Sequence, residues 1–146
     1  MRTLGIDLGA RRIGLALSDA GGRLATPLQV LTVSSPDAAF DPILRLIADE
    51  GVERIVVGLP LNMDDTTGPA ARAATEWAAD LRRRSGKPVL MVDERLSSFE
   101  AEQTLNTRKR SGEHLTRGKK KQRLDAIAAA VLLQAFLDGR SPAIES

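Results

Sequence analysis

Thr3-Leu4-Gly5-Ile6-Asp7-Leu8-Gly9-Ala10-Arg11-Arg12-Ile13-Gly14-Leu15-Ala16-Leu17-Ser18 reads as a β-hairpin. Thr3 to Leu8 is a short apolar run. Ile13 to Ser18 alternates Ile, Leu and Leu with Gly, Ala and Ser, the period of two that strand geometry imposes. The Gly9-Ala10-Arg11-Arg12 turn joins the two, and Gly9 and Gly14 leave room for a tight turn or for a phosphate to approach the backbone. A third strand, about Leu24 to Val33, extends the hairpin into a meander. Pro27 lacks an N–H for the ladder, which assigns this strand to a sheet edge or a bulge.

Beyond the meander the pattern changes. From Pro36 the apolar residues Phe40, Ile43, Leu44 and Ile47 fall on one helical face, and Gly51 ends the run. Arg54 to Val57 is a β-branched segment suited to a buried parallel strand. Turn-rich residues 58–68 follow, then Pro69 in the first turn of a helix that should reach Ser85 and close at Gly86. Val89 to Val92 is a fifth strand. Ser97-Ser98-Phe99-Glu100 has the form of a capping box opening a helix to about Asn106. Residues 107–121 lack apolar periodicity and predict a mobile basic loop. A last helix, about Gln122 to Asp138, should bury Leu124, Ile127, Ala128, Val131, Leu132 and Ala135. Strands separated by helices join by crossovers and lie parallel. The expected fold is therefore α/β: a mixed five-stranded sheet, three antiparallel strands and then parallel ones, flanked by helices. Residues 1–139 form one domain in this reading, with 140–146 a flexible tail.

Composition narrows the chemistry. The chain has 146 residues, 42% hydrophobic and 27% charged, as in ordinary globular proteins. Aromatics are 3%, with one Trp and no Tyr, so platforms for stacking bases are scarce. There is no Cys and a single His114, which removes thiolate nucleophiles, Cys zinc sites and an obvious triad. No signal-like segment opens the chain and no apolar run is long enough for a membrane, so a cytoplasmic protein without a membrane partner is expected. The net charge of +2 conceals an asymmetry: residues 108–123 carry eight Lys/Arg against one Glu, leaving 13 basic and 18 acidic residues elsewhere. Such a segment is either a solvated loop or the contact for a polyanion.

Three acids stand at the ends of core elements. Asp7 lies between Ile6 and Leu8, where a carboxylate is partly desolvated. Asp93-Glu94 ends the fifth strand, and alternation lets only one of the two share the face of Asp7. Asp125 sits beside the buried stripe of the last helix. Each has an ordinary explanation taken singly: Asp7 as a turn acceptor, Glu94 paired with Arg95, Asp125 bridged to Lys121 one turn back. Taken together, in a chain without a His or Cys cluster, they form an all-oxygen donor set of the kind that selects Mg²⁺ or Mn²⁺ and activates water against a phosphodiester.

Four blocks, Gly5-Ile6-Asp7-Leu8-Gly9-Ala10-Arg11-Arg12-Ile13-Gly14, Val57-Gly58-Leu59-Pro60-Leu61-Asn62, Asp93-Glu94-Arg95-Leu96-Ser97 and Leu124-Asp125-Ala126-Ile127-Ala128-Ala129, resemble the signature segments of the YqgF/RuvX family in order and spacing. The resemblance implies an RNase H-like fold related to Holliday-junction resolvases and a nuclease acting on the 5′ end of pre-16S rRNA in ribosome biogenesis. It also implies that Asp7, Glu94 and Asp125 are the catalytic acids and metal ligands. A typical resolvase of this superfamily adds a second acid three residues after the helix aspartate. Here that position is Ala128, and the turn after Pro60 reads Asp64-Asp65 where relatives often have Asp-Gly.

Arg12 at the rim, Asn62 before a helix N-terminus, Arg95, and Lys119, Lys120 and Lys121 are the expected nucleic-acid contacts. The partner the resemblance implies is structured RNA or branched DNA, with a monomer or homodimer expected to bind it. Two other readings compete: a Holliday-junction resolvase acting on DNA, and a non-enzymatic RNA-binding assembly factor. The Asp7-Leu8-Gly9 block also resembles the first phosphate loop of the sugar-kinase and actin ATPases, but 146 residues leave no room for their second lobe.

Overall fold

The computed structural model describes residues 1–9, 11–59, 68–93, 117–140 and 143, and for 117–125 the backbone alone. Its strands are β1 (Thr3–Leu8), β2 (Arg12–Ser18), β3 (Ala25–Thr32), β4 (Arg54–Leu59) and β5 (Val89–Asp93). Its α-helices are α1 (Phe40–Glu50), α2 (Pro69–Ser85) and α3 (Arg117–Leu137), and a 3-10 turn at Pro36–Ala39 leads into α1. The sheet order is β3-β2-β1-β4-β5. β1–β2 and β2–β3 are antiparallel, while β1–β4 and β4–β5 are parallel. The meander and the crossovers thus follow the sequence reading. Among the described residues no helix is long and apolar enough to cross a membrane.

Local chemistry explains most element ends. Pro42 has no N–H to return to Ala38, so the chain turns as a 3-10 helix before α1 continues. Gly51 and Gly86 close α1 and α2 in the left-handed region, where a side chain is disfavoured. β3 is an edge strand, and the ladder skips from Leu15↔Gln29 to Ala16↔Pro27, so Leu28 is left over and 39% exposed. Pro27 therefore meets both conditions expected of it. The hairpin before β3 is held by Asp19, whose Oδ1 accepts from the N–H groups of Arg23 (2.7 Å) and Leu24 (3.2 Å).

One boundary differs. α3 begins at Arg117, whereas the sequence reading runs the basic loop on to Lys121. Lys, Arg and Gln are strong helix formers, so the helix extends upstream of the last apolar position without needing periodicity. The expected loop at 107–116 and helix at 97–106 lie outside the described residues.

The two faces of the sheet are packed separately. On one, Leu4, Ile6, Ile13, Leu15, Ile55 and Val57 meet Phe40, Ile43 and Ile47 of α1 and Trp77, Ala78 and Leu81 of α2. Trp77 stacks on Phe40 with centroids 5.2 Å apart and donates its indole N–H to the carbonyl of Pro36 at 2.9 Å. On the other face, Ala16, Val56 and Val92 meet Ala129, Ala130, Leu132 and Leu133 of α3. The predicted stripe on this helix needs correction: Val131 is only half-buried and Ala135 likewise, while Ala129, Ala130 and Leu133 are buried. The reason is Gly5. A Cβ on it would lie 2.8 Å from the Cβ of Leu133 and 3.2 Å from the carbonyl oxygen of Ala129, so the missing side chain admits the helix at that point.

Candidate active site

Asp7 is the penultimate residue of β1, at the edge where the parallel strands β1, β4 and β5 all end. In sheets with parallel strands this edge is where ligands collect. Alternation puts Asp7 with Gly5 on the face covered by α3, and the carboxylate residue is half-buried. Its partner across the antiparallel ladder is Gly14. On the parallel side Ile6 pairs with Val57, so Gly58 is the next residue on β4. Asp7 therefore has glycine on both neighbouring strands, and both glycines are buried.

The path of α3 follows from its contacts. The guanidinium of Arg54 lies 4.8 Å over the ring of Phe136 and donates to the hydroxyl of Thr3 at 3.2 Å, so the C-terminal end of α3 sits at the start of β1. Gln134 adds a second tie, accepting from the N–H of Ala25 at 2.8 Å and donating to the carbonyl of Arg23 at 2.9 Å. Leu133 and Ala129 then meet Gly5. The helix thus runs antiparallel to β1. Asp125 is four residues before Ala129, a rise of about 6 Å, and Asp7 is two residues beyond Gly5, about 6.6 Å along the strand. The backbone of residue 125 therefore lies toward the same sheet edge as Asp7.

β5 sets the face of Asp93. Val92 packs in the α3 layer, so Asp93 belongs to the opposite face from Asp7. Asp7, Arg12 and Asp93 all engage neighbours. Arg12 opens β2 opposite Thr32 and is half-buried, and its carbonyl oxygen occupies the place a Cβ on Gly9 would take, so the chain beside the acid needs that glycine. Glu94, Asn62 and Arg95 lie outside the described residues. Lys119, Lys120 and Lys121 are in the first turns of α3 rather than in a loop.

Among the described residues no three His, Cys, Asp or Glu side chains converge on a metal. The donor chemistry of Asp7, Glu94 and Asp125 is all carboxylate oxygen and fits a hard divalent ion. Ala128, at the position of the superfamily's additional acid, is 2% exposed and packed, so it adds no ligand. Gly5 was the feature the sequence reading passed over. Its signal was available: a glycine in the interior of a strand marks a close approach of another backbone.

Comparison with known proteins follows the same lines. The RuvX family, described as Holliday junction resolvase, matches residues 1–139. A protein of Anaeromyxobacter sp. (strain Fw109-5) named "Putative pre-16S rRNA nuclease" is 49% identical over 140 residues, covering 96% of this chain and 98% of its own. A protein of the same name from Acidiphilium cryptum (strain JF-5) is 43% identical over 137 residues, covering 94% of this chain and 84% of its own. In three dimensions the chain is similar to Thermus thermophilus RuvC in complex with a Holliday junction substrate, with a TM-score of 0.59, 18% identity and 99% of each chain covered. The yeast mitochondrial Holliday junction resolvase superposes with a TM-score of 0.53 at 11% identity, over 94% of this chain and 78% of its own. At these identities the likeness concerns the fold, which is the RNase H-like fold of the RuvC resolvases. The chain belongs to the RuvX family, and its enzyme class is that of the nucleases, hydrolases acting on ester bonds.

Proposed function

We propose that the chain is a divalent-metal-dependent nuclease that trims the 5′ end of pre-16S rRNA in the cytoplasm. The observation that carries the reading is the docking of α3 on β1 through Gly5, which supports pairing residue 125 with Asp7 at the strand-end edge. Asp7, Glu94 and Asp125 would hold Mg²⁺ or Mn²⁺, and the chemistry such an ion supplies is activation of water and neutralisation of charge on the phosphate. Asp7 would be the principal ligand, since its place on a strand holds it rigidly. Glu94 falls on the face of Asp7 if the alternation of β5 continues by one residue. Arg12 sits where it can neutralise a neighbouring phosphate, with Asn62 and Arg95 as further contacts. Lys119, Lys120 and Lys121 track the strand's backbone from the start of α3. In the same reading residues 1–139 are one nuclease domain with a basic loop ending before Arg117.

RNA is preferred over a DNA junction because the relatives at 43–49% identity carry the rRNA name. The family description keeps the junction as the second reading. The test is single-turnover cleavage at saturating Mn²⁺ of a pre-16S 5′ leader RNA and of a four-way DNA junction, each with wild type and Asp7→Asn. Cleavage of the leader, lost in the variant with melting unchanged, supports the proposal. Cleavage of the junction alone assigns the enzyme to DNA. Binding without cleavage of either substrate makes it an assembly factor.

A further inference from the structure

A second concavity lies behind the catalytic edge, on the sheet face opposite Asp7. It has a volume of about 520 Å³ and a floor of Leu8, Pro36, Ala74 and Trp77. The floor is rigid, because the Trp77 indole is stacked on Phe40 and anchored to the Pro36 carbonyl. Three carboxylates stand at its rim, Asp37, Glu76 and Asp80, and no Lys or Arg lines it among the described residues. Asp80 is paired with Arg83 one turn on along α2. Asp37 and Glu76 are exposed and make no ion pair with any described residue.

An apolar floor under a rim whose Asp37 and Glu76 have no cationic partner among the described residues selects its occupant by charge. A phosphodiester chain is repelled from it, and an uncharged apolar segment leaves the two carboxylates unused. We propose that this groove docks a Lys/Arg-bearing segment of a partner protein that also carries an aliphatic anchor for the floor. Such a segment contacts Leu8 and Gly9 from behind while Asp7 faces the other side of the same strand, so the partner and the nucleic-acid substrate are held at once without competing. This surface is independent of which nucleic acid is cleaved.

Trp77 is the sole tryptophan and lies in the floor, so its emission reads occupancy directly. The probe is an amphipathic Leu/Lys peptide titrated into the full chain, with its Leu/Gln counterpart as the uncharged arm. Saturable binding of the Leu/Lys peptide is expected, weakened about tenfold or more in Asp37→Asn/Glu76→Gln, which corresponds to a loss of about 1.4 kcal/mol. Asp49→Asn/Asp138→Asn removes the same charge elsewhere on the surface and should leave the affinity unchanged within about twofold. Equal weakening in both pairs means diffuse attraction and overturns the proposal, as does equal binding of the Leu/Gln peptide or absence of saturable binding. A short oligouridine titrated alone should not move Trp77 emission. A response to it that grows in the Asp37→Asn/Glu76→Gln variant assigns the groove to nucleic acid and overturns the proposal too.

Discussion

Against α1 and α2 the sheet presents Leu4, Ile6, Ile13, Leu15, Ile55 and Val57, while against α3 it presents Gly5, Ala16, Val56 and Val92. The first face is filled by large side chains interlocked with Phe40, Ile43, Trp77 and Leu81, and it contains no carboxylate of the proposed site. The second has small residues on both partners at the close approach, Gly5 and Ala16 on the sheet and Ala126, Ala128, Ala129 and Ala130 on α3, beside Val56, Val92, Leu132 and Leu133. Large side chains bury more apolar area and contribute more stability. Small ones bury less but let a helix and a strand approach until polar groups on each can act on a single ligand. The chain thus separates the face that buries most large side chains from the face where α3 comes close to the strand that carries Asp7.

The contrast is tested first by crossing its two extremes. Asp7→Asn should lower single-turnover cleavage by more than the roughly 10²- to 10⁴-fold typical of losing one acid or base, while its melting temperature stays level or rises. Ile43→Ala, on the other face, should destabilise by about 2–5 kcal/mol through the cavity it leaves, with turnover per folded molecule unchanged. Urea unfolding beside the cleavage assay reads both. If Ile43→Ala costs activity as heavily as Asp7→Asn, the two faces are not separate.

Gly5→Ala sharpens the comparison with a smaller step. The new methyl meets the Cβ of Leu133 at 2.8 Å and the Ala129 carbonyl at 3.2 Å, atoms fixed to the helix, so α3 must back away from β1. We expect a loss of about 1–3 kcal/mol, the usual range for overpacking, and a fall in cleavage larger than stability alone explains. An unchanged cleavage rate in a well-folded Gly5→Ala protein removes the link between close approach and catalysis.

Gly86→Ala is the matching glycine change outside both faces. Its φ is +70° and a Cβ would meet nothing within 4 Å, so the cost is backbone strain alone, about 1–2 kcal/mol. Cleavage per folded molecule should not move, which distinguishes a glycine needed for a cap from one needed for docking.

The smallest effect belongs to Asp19 in the exposed turn before β3. The N–H groups of Arg23 and Leu24, in that order, hold its carboxyl below the ordinary value of 3.8. A lowered native pKa favours folding when the group is charged, so this contribution is complete above pH 3.8 and fades as pH falls through the native value. The difference in urea midpoint between wild type and Asp19→Ala should narrow between pH 5 and pH 3. A difference that is flat across that range means that the turn does not depend on the charge.

What could be read from the chain alone was what neighbours in sequence decide. Pro69 and Gly86 bound α2 because a helix start tolerates proline and its left-handed end requires glycine, both within a few residues. The antiparallel meander and the later parallel strands followed from connection length, and Asp7 announced itself as a carboxylate inside an apolar strand. Other features depended on docking. Alternation limited Asp93 and Glu94 to one each side, but only the packing of Val92 under α3 assigned Asp93 to the far face. Periodicity favoured Val131 and Ala135 as buried, whereas the gap at Gly5 buried Ala129 and Leu133 instead. The groove behind β1 brings Leu8, Asp37 and Glu76 together from a strand, a 3-10 turn and a helix. Caps, turns and strand periods are settled by interactions a few residues long, so the order of side chains carries them. The contact of Gly5 with Leu133 closes more than a hundred residues of chain, and it exists only because two finished surfaces fit.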